Sequence, residues 1–595
     1  MKYTVRYFIT LLNKSQYLRA YFFTIKKIFD YGGMLPFVAI LLTVINVLLE
    51  ILLTYLTALL VSSFAGSMLL ADFSLTSLLK NNTFLCAVGI LGIWFMRRGL
   101  LYLIAIIEND FFNKRFNRFH EELAEKFSKF NLEDIEIYPV YDTISKVRNF
   151  WYWKFQDFYL ELKSIVSSFV GVISVGIIIV NYSWLLSGII LLSVIPIVIS
   201  NIWVTNKHRK MVDRTTPVRN RRDYTLETIL SNRNVAEKKV DMIFSKLLKS
   251  FKRDNDYLAE EQIEQGFLAT FWSFFAEITS FIIISVVRLR IIVLILAKQI
   301  ELTLGLSLFN YILFFWEKLA IFTQDIVDLS LIGNYLSYYY QYVGIPTMHE
   351  RSIGEKNIPR KIESLSVVNL SFAYPKTNGN VISDLNFKIN CGERMLILGK
   401  DGSGKSSITK IITGLFKLYS GDVLINDISL KDVKPGVWKK NFSVVFDDFG
   451  RFFYSVKDCI ILADERNVFD RKRYDLAIEI TGIDKLFSSG IISENQLLGS
   501  MFEGGVEIPS GFWQRIAIAR AIYRDRPIQI FDEAFSMIDP STSREIMSNL
   551  IKYWENKIVL MIDENDQFVK YFDNVFVLYN GELMDCANSD ILSKW

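Results

Sequence analysis

A glycine-rich stretch in the second half of the chain has the residue types and spacing best suited to chemistry. It fits the pattern G-x-x-x-x-G-K-[ST] and consists of Gly399, Lys400, Asp401, Gly402, Ser403, Gly404, Lys405, Ser406 and Ser407. Apolar residues 395–398 come before it and predict a buried strand, and residues 407–412 predict a helix. Glycines let such a loop direct its backbone N–H groups at phosphate oxygens, where the helix N-terminus adds positive potential. The stretch is therefore predicted to bind phosphate.

Two side chains of this loop have separate predicted roles. Lys405 would reach the β- and γ-phosphates of a nucleotide, and the hydroxyl of Ser406 would bind Mg²⁺. The alternative is a glycine-rich turn that binds no ligand. The strand, the lysine and the serine stand in register, which favours the nucleotide.

A pair of carboxylates ends another apolar run. Residues 527–531 predict a buried strand, which Asp532 and Glu533 terminate. Asp532 is predicted to hold Mg²⁺ and Glu533 to act on the attacking water. The alternative is an acidic turn at the end of a strand, and the position downstream of a phosphate-binding loop favours the chemical role.

The elements that position these residues belong to a soluble domain that follows a membrane domain. Residues 1–343 contain six apolar runs of the length needed to cross a bilayer, about 20 residues. Their predicted bounds are 35–63, 83–107, 164–180, 184–204, 267–297 and 302–322. The fifth is ambiguous because Arg288 and Arg290 interrupt it. The predicted fold class is an all-α, six-helix transmembrane domain, a linker at 344–360, and an α/β P-loop domain at 361–595.

The connections between the spans alternate in length. Those at 67–82, 181–183 and 298–301 are short, whereas those at 108–163 and 206–265 are long, rich in Lys and Arg, and helical in pattern. The positive-inside rule predicts that the long connections and both termini lie on the cytoplasmic side. The membrane is expected to be the plasma membrane. An amphipathic helix at 16–31 is predicted to lie on the inner membrane face, with a disordered leader as the alternative.

Charged residues interrupt the apolar spans. Such groups line a polar cavity, or else they pair with one another or reach the interface. Both interpretations stay open from the sequence. The residues are Glu50, Arg97, Arg98, Glu277, Arg288 and Arg290.

Charge and cysteine usage exclude other classes. The net charge of +4 is too small to indicate a nucleic-acid partner. The cysteines, Cys86, Cys391, Cys459 and Cys586, form no C-x-x-C pair and predict neither a disulfide framework nor a zinc site.

The segment at 508–521, with the P-loop and the acidic strand, resembles the ATP-binding cassette (ABC) exporters. It reads IPSGFWQRIAIARA, where lantibiotic and small-peptide exporters have LSGGQWQRIALARA. Segments 442–449 and 498–505 are similar to the same subgroup. The resemblance covers nearly the whole chain and identifies a half-transporter, whose ATP sites form only with a second half-transporter.

The resemblance implies roles for further residues. Tyr374 matches the aromatic residue that stacks on adenine, and Asp532 and Glu533 match the Mg²⁺ aspartate and the catalytic glutamate. Segment 536–539 is similar to the loop that touches the opposite cassette. Segments 138–146 and 235–244 match the regions where cytoplasmic loops dock on the cassettes.

Three positions depart from the family pattern. Asp447 replaces a glutamine that helps to hold Mg²⁺, and the shorter aspartate would bind the ion directly or fail to reach it. Pro509 replaces the signature serine and lacks both its hydroxyl and an N–H group, which leaves Ser510 and Gly511 to contact the partner's nucleotide. Glu564 replaces the switch histidine at a catalytic position, and its carboxylate would repel the γ-phosphate.

These departures predict good ATP binding and slow hydrolysis, because removing one polarising donor costs roughly 10²–10³ in rate. The alternative is that Glu533 alone suffices. The function expected is ATP-dependent export of a small peptide by a homodimer or a heterodimer. The alternatives are a non-hydrolysing, ATP-binding regulatory half, and a lipid or drug exporter.

Overall fold

The structure is a computed structural model of the 595-residue chain. It describes residues 15–68, 82–115, 117–130, 132, 135, 138–231, 235–240, 242–345, 354–374, 379–417, 419–434, 436–464 and 468–585. Most of the predicted loop at 67–82, part of the linker at 344–360, and Cys586 lie outside these residues. The chain forms two compact units, residues 1–125 with 142–345, and residues 126–141 with 346–595.

The first unit is helical throughout its described part. Its helices are α1 (Ser15–Gly32), α2 (Leu35–Met68), α3 (Asn82–Asp110), α4 (Asn117–Ser128), α5 (Tyr138–Tyr182), α6 (Trp184–Leu230), α7 (Val235–Val240), α8 (Ile243–Leu296) and α9 (Leu302–Gly344). A π-helical turn, Phe111–Arg115, follows α3, and the last residues of α4 group with the second unit.

Six helical segments of the described chain are long and apolar enough to cross a membrane. They lie in α2, α3 with α4, α5, α6, α8 and α9, so the predicted number of long apolar helices is confirmed, and the predicted bounds of the spans stay predictions. The ambiguous fifth belongs to one unbroken helix, α8, of 54 residues. At 1.5 Å per residue α8 is about 80 Å long, against about 30 Å of hydrocarbon. The spans therefore continue as helices far beyond a bilayer, as their polar flanks predict.

The amphipathic segment near the N-terminus is the helix α1. Ala20, Thr24 and Ile28 recur every four residues, so they share one face, and all three are buried. The hydroxyl of Tyr21 donates to the carbonyl of Leu329 in α9 at 3.0 Å. The predicted helix is confirmed, and one of its faces packs on protein.

Glu50, one of the charges inside the spans, is paired. Its carboxylate lies 3.3 Å from the guanidinium of Arg97 and 3.5 Å from the ammonium of Lys318, which links α2 to α3 and α9. Arg97 also donates to Asn46 at 3.1 Å. At this position the structure agrees with the pairing interpretation. Arg288 instead stacks on the ring of Phe309 at 3.5 Å.

The second unit contains two sheets in its described part. The order of the first is β2-β1-β4-β5, all antiparallel, and that of the second is β10-β9-β3-β8-β7-β6, parallel except for β10. The strands are β1 (Ser364–Phe372), β2 (Ile382–Asn390), β3 (Arg394–Gly399), β4 (Ser420–Ile425), β5 (Ile428–Ser429), β6 (Phe442–Val445), β7 (Ile528–Asp532), β8 (Ile558–Asp563), β9 (Asn574–Tyr579) and β10 (Glu582–Asp585).

Helices cover the six-stranded sheet, and both faces of the sheet are buried. Along β3, Met395 and Ile397 belong to one hydrophobic core, and Leu396 and Leu398 to another. This is why the run is continuously apolar rather than alternating. The helices are α10 (Lys405–Ile412), α11 (Val456–Ile461), α12 (Arg471–Ile480), α13 (Ile483–Ser488), α14 (Ser510–Arg524) and α15 (Pro540–Tyr553).

Candidate nucleotide-binding site

Three adjacent parallel strands, β3, β8 and β7, end at the same edge of the large sheet. In their register Leu398 pairs with Asp563, and Asp532 pairs with Ile562. The residues that follow each strand therefore meet: the glycine-rich loop after β3, Glu533 after β7 and Glu564 after β8. Ligands of open α/β sheets bind at this carboxyl edge.

The loop after β3 needs its glycines. Gly402 and Gly404 have φ angles of +80° and +107°, which L-residues rarely adopt. A Cβ atom at Gly404 would also lie 3.1 Å from the carbonyl oxygen of Val381. Gly404 caps α10, so the first N–H groups of that helix point towards the loop. The hydroxyl of Ser403 is buried without a hydrogen-bond partner, so it is available to donate to a bound anion.

Lys405 is the centre of the site and is only 4% exposed. Its ammonium donates to the carbonyl of Gly399 at 2.6 Å and to the carboxylate of Glu564 at 2.7 Å, and it lies 3.1 Å from that of Glu533. Burial alone would lower the pKa of Lys405. The hydrogen bonds to Glu564 and Glu533 outweigh that effect and raise the pKa, so this lysine is charged and able to bind phosphate.

Asp532 fits a bound cation. It is fully buried, and neither carboxylate oxygen accepts a hydrogen bond of normal geometry in the described structure, although the hydroxyl of Thr409 lies close enough to stabilise the carboxylate weakly. Burial raises its pKa to about 7, and the charges of Asp447 and Glu533 add to the effect. A buried carboxylate with two unpaired oxygens is costly unless an ion compensates it. Carboxylate and hydroxyl oxygens suit Mg²⁺, so Asp532 and the half-buried Ser406 could hold the ion.

Asp447 lies at the same edge, two residues beyond β6. Its side chain is exposed, and one oxygen accepts the backbone N–H of Asp448 at 2.7 Å. The carboxylate of Asp447 is close enough to Asp532 for its negative charge to raise the pKa of Asp532. The predicted choice between direct Mg²⁺ binding and failure to reach the ion stays open.

Glu533 and Glu564 form an acidic cluster with Asp401 around Lys405. Oxygen atoms of these three side chains lie within 4.8 Å of one another. Glu533 has a φ of +48°, an uncommon conformation for a residue with a side chain, held by its N–H bond to the carbonyl of Ile562 at 2.9 Å. The hydrogen bond from Lys405 lowers the pKa of Glu564, so Glu564 is a carboxylate.

The two other predicted contact regions occupy distinct positions. The hydroxyl of Tyr374 lies 3.0 Å from that of Ser407, and its ring packs edge-on against Phe372 and Phe416.

Ser510 and Gly511 begin α14, where a Cβ at Gly511 would lie 2.6 Å from the carbonyl oxygen of Met537. Pro509 caps this helix with a φ of −59°, so the fold tolerates the proline.

Gln514 is a residue to which sequence reasoning assigned no role. It is fully buried, and its amide donates to the carbonyl of Glu533 at 3.0 Å and to the hydroxyl of Ser536 at 3.1 Å. Its amide oxygen accepts the N–H of Met537 at 2.8 Å. Gln514 therefore joins α14 to the loop that carries Glu533. No sequence signal distinguishes Gln514, because the same helix also carries Arg515, Arg520 and Arg524.

Comparisons with known proteins agree with this geometry. Residues 382–536 match the family described as ABC transporter. The chain is 24% identical over 486 residues to the nisin transport ATP-binding protein NisT of Lactococcus lactis subsp. lactis, covering 79% of each chain. It is 28% identical over 261 residues to the subtilin transport ATP-binding protein SpaT of Bacillus subtilis, covering 44% of this chain and 42% of SpaT.

A lipid A-core flippase and a solved exporter structure are also similar. The ATP-dependent lipid A-core flippase of Pectobacterium atrosepticum is 27% identical over 243 residues, 41% of each chain. The solved structure of a bacterial Atm1-family ABC exporter with ATP bound superposes with a TM-score of 0.69 over 95% of this chain and 96% of that one, at 17% identity. Together with the site at the sheet edge, these matches show that the chain carries an ABC transporter domain and has the fold of an ABC exporter.

Proposed function

We propose that the chain is one half of an ABC exporter that binds Mg-ATP at the carboxyl edge of β3, β7 and β8 and moves a small peptide outward. The observation that carries the nucleotide role is the convergence of the charged Lys405 and the unpaired, buried Asp532 at that edge. Lys405 would hold the β- and γ-phosphates, Ser406 and Asp532 would hold Mg²⁺, and Tyr374 would stack on adenine. Asp447 is the further candidate for the ion.

The peptide substrate is proposed from the relatives. NisT is matched over most of both chains and is named for nisin transport, and SpaT is named for subtilin transport. The match to the lipid A-core flippase spans less than half of that protein. The plasma membrane and cytoplasmic termini are proposed from the Lys- and Arg-rich long connections.

The working unit is proposed to be a dimer. Ser510 and Gly511 would contact the nucleotide on the opposite cassette, and Pro509 removes one donor from that contact. Whether the partner is a second copy or a different half-transporter decides how many weakened sites the dimer contains.

A second candidate function is an ATP-binding half that regulates a hydrolysing partner. The ion pair between Glu564 and Lys405 favours it, because a carboxylate stands where the family's histidine would donate to the γ-phosphate. The two candidate functions differ in the hydrolysis that they predict: an exporter half should hydrolyse ATP slowly, and a regulatory half should not hydrolyse it.

Nucleotide binding and hydrolysis by the purified full chain test the proposal. We expect Mg-ATP binding that Lys405→Ala weakens at least about tenfold, and slow hydrolysis that Glu533→Gln abolishes. Binding without turnover, with hydrolysis only after a partner half is added, would favour the regulatory function. Absence of Mg-ATP binding by the folded wild-type chain would refute both.

A further inference from the structure

A groove runs between α6 and α8 in the first unit. It has an apolar part and a charged part, and the proposed nucleotide binding uses neither. The apolar part is a cavity of about 500 Å³ whose walls include Ile199, Trp203, Trp272 and Phe275. The rings of Trp203 and Trp272 lie 5.4 Å apart, one on each helix. All four side chains are 41–60% exposed, so the cavity is open along its length.

The same groove continues into a charged part of about 370 Å³, with Trp203 lining both. Lys207, Lys210 and Arg214 line it from α6, at a spacing that places them on one helical face. Glu261 and Glu264 line it from α8. Within the described part of the chain, none of these five side chains forms an ion pair. Charges of both signs therefore face one cavity without neutralising each other.

The apolar part also contains polar groups that lack partners. Ser200 is 6% exposed, lines the cavity, and its hydroxyl has no hydrogen bond. Pro196, one turn earlier, has no N–H to donate to the carbonyl of Leu192. An oxygen-rich group of a ligand, such as a glycerol ester, would satisfy the hydroxyl of Ser200.

The dimensions match one leaflet of a bilayer. The apolar wall on α6 runs from Ile195 to Trp203, a rise of about 12 Å over eight steps of 1.5 Å. A leaflet is about 15 Å of hydrocarbon, half of the usual 30 Å. Tryptophan concentrates at the boundary between hydrocarbon and head groups, which is the place of Trp203 between the two parts.

We propose that this groove binds a phospholipid whose head group carries both a phosphate and a primary ammonium. The acyl chain lies along Ile199 and Phe275, the phosphate meets the cations of α6, and the ammonium meets the carboxylates of α8. Basic pockets between membrane helices are known to bind lipid head groups. Two carboxylates on the opposite wall select a zwitterion over a purely anionic head group. The inference depends on neither ATP nor transport.

Tryptophan quenching by brominated lipids tests this directly. The full chain is reconstituted in phosphatidylcholine nanodiscs that contain a small, fixed fraction of lipid brominated in the acyl chain. The brominated lipid is phosphatidylethanolamine, phosphatidylglycerol or phosphatidylcholine. We expect phosphatidylethanolamine to quench at least about three times more efficiently than the others. The excess should vanish in Trp203→Phe with Trp272→Phe, which separates these two from the remaining tryptophans.

Paired variants identify the charges. Lys207→Ala with Lys210→Ala should abolish the preference. Lys249→Ala with Lys252→Ala, two exposed lysines near the beginning of α8 and outside the groove, should leave it unchanged. Glu261→Gln with Glu264→Gln should keep lipid binding and shift the preference to phosphatidylglycerol. This gain of a new preference cannot result from misfolding.

Three results would overturn the proposal. The first is equal quenching by all three lipids in the wild-type chain. The second is a preference for phosphatidylethanolamine that survives the Lys207 and Lys210 substitutions. The third is quenching of Trp203 and Trp272 by a peptide that carries a quencher, without any lipid preference, which would assign the groove to the transported substrate.

Discussion

At the proposed nucleotide site one lysine is shared between two carboxylates, which directly follow two different strands. Lys405 binds Glu564 at 2.7 Å and lies 3.1 Å from Glu533, so without nucleotide these carboxylates compensate its charge. A triphosphate must replace at least part of this pairing to reach the lysine. Glu564 therefore does more than remove a histidine donor, because it occupies the ammonium that the phosphate needs.

Neutralising Glu564 should favour ATP over ADP. In Glu564→Gln the competing charge is lost, and we expect ATP affinity to rise about tenfold with a smaller change for ADP, which lacks the γ-phosphate. Two charges 4 Å apart interact by about 4 kcal/mol at an effective dielectric constant of 20, partial exposure weakens this interaction, and a tenfold change in affinity needs only about 1.4 kcal/mol. Calorimetric titration with each nucleotide measures the effect.

Glu564→Asp is the matched control, because it keeps the charge. It should resemble the wild type in its ratio of ATP to ADP affinity. Equal gains for ATP and ADP in Glu564→Gln would mean that Glu564 does not compete with the γ-phosphate.

Asp532 gives the metal-free chain a pH dependence of stability. Its folded pKa of about 7 exceeds the usual value near 4, so between these pH values the folded chain holds a proton that the unfolded chain has released. This contribution to stability is therefore present at low pH and is lost as the pH rises towards 7. Asp532→Asn should melt at a similar temperature to the wild type at pH 4 and several degrees higher at pH 8.

The measurement is thermal unfolding in a metal chelator, without nucleotide, at several pH values. Comparing the two chains cancels the titration of all other groups. Melting curves that keep a constant separation from pH 4 to pH 8 would show that Asp532 is not protonated in the folded chain.

At the scale of elements, strands and helices bring the site residues together. The order of the strands in the sheet explains which features of the site could be predicted from the sequence and which could not. Lys405, Ser406, Asp532 and Glu533 were predictable because each stands in a local pattern beside its own strand. The pairing of Lys405 with Glu564, 159 positions away, was not, because it follows from β3 lying next to β8. Apolar length predicted the six spans for the same local reason.

Gln514 is the joint between α14 and the loop after β7, and its loss should separate binding from hydrolysis. In Gln514→Leu three hydrogen bonds disappear, and the carbonyl of Glu533 keeps only the longer bond from the N–H of Ser536, at 3.3 Å. We expect ATP affinity to change less than about threefold and hydrolysis to fall at least about tenfold, since one displaced catalytic group often costs more.

Gln529→Leu is the control. This buried amide in β7 donates to the carbonyl of Arg526 instead, so a similar change in folding stability should leave the ratio of hydrolysis to binding intact. Parallel losses of binding and hydrolysis in Gln514→Leu would indicate general destabilisation of the cassette.

The whole molecule combines a candidate nucleotide site with a bundle of long apolar helices, and the proposed function requires that the two be coupled. The sequence was sufficient for the two-part architecture, because hydropathy separates a lipid-facing half from an α/β half. It was not sufficient for the groove between α6 and α8, whose walls come from helices with separate apolar runs. Substrate and partner depend on surfaces that no local pattern encodes.

The most direct measurement is ATP-driven uptake of a labelled, nisin-like peptide into inside-out vesicles that contain the full chain, alone or with its partner half. The account predicts uptake that requires Mg-ATP and falls at least about tenfold in Lys405→Ala, with the variant present in the membrane at wild-type amounts. Uptake that is equally fast without ATP, or unchanged in Lys405→Ala, would contradict the claim that nucleotide bound at this loop drives the membrane helices.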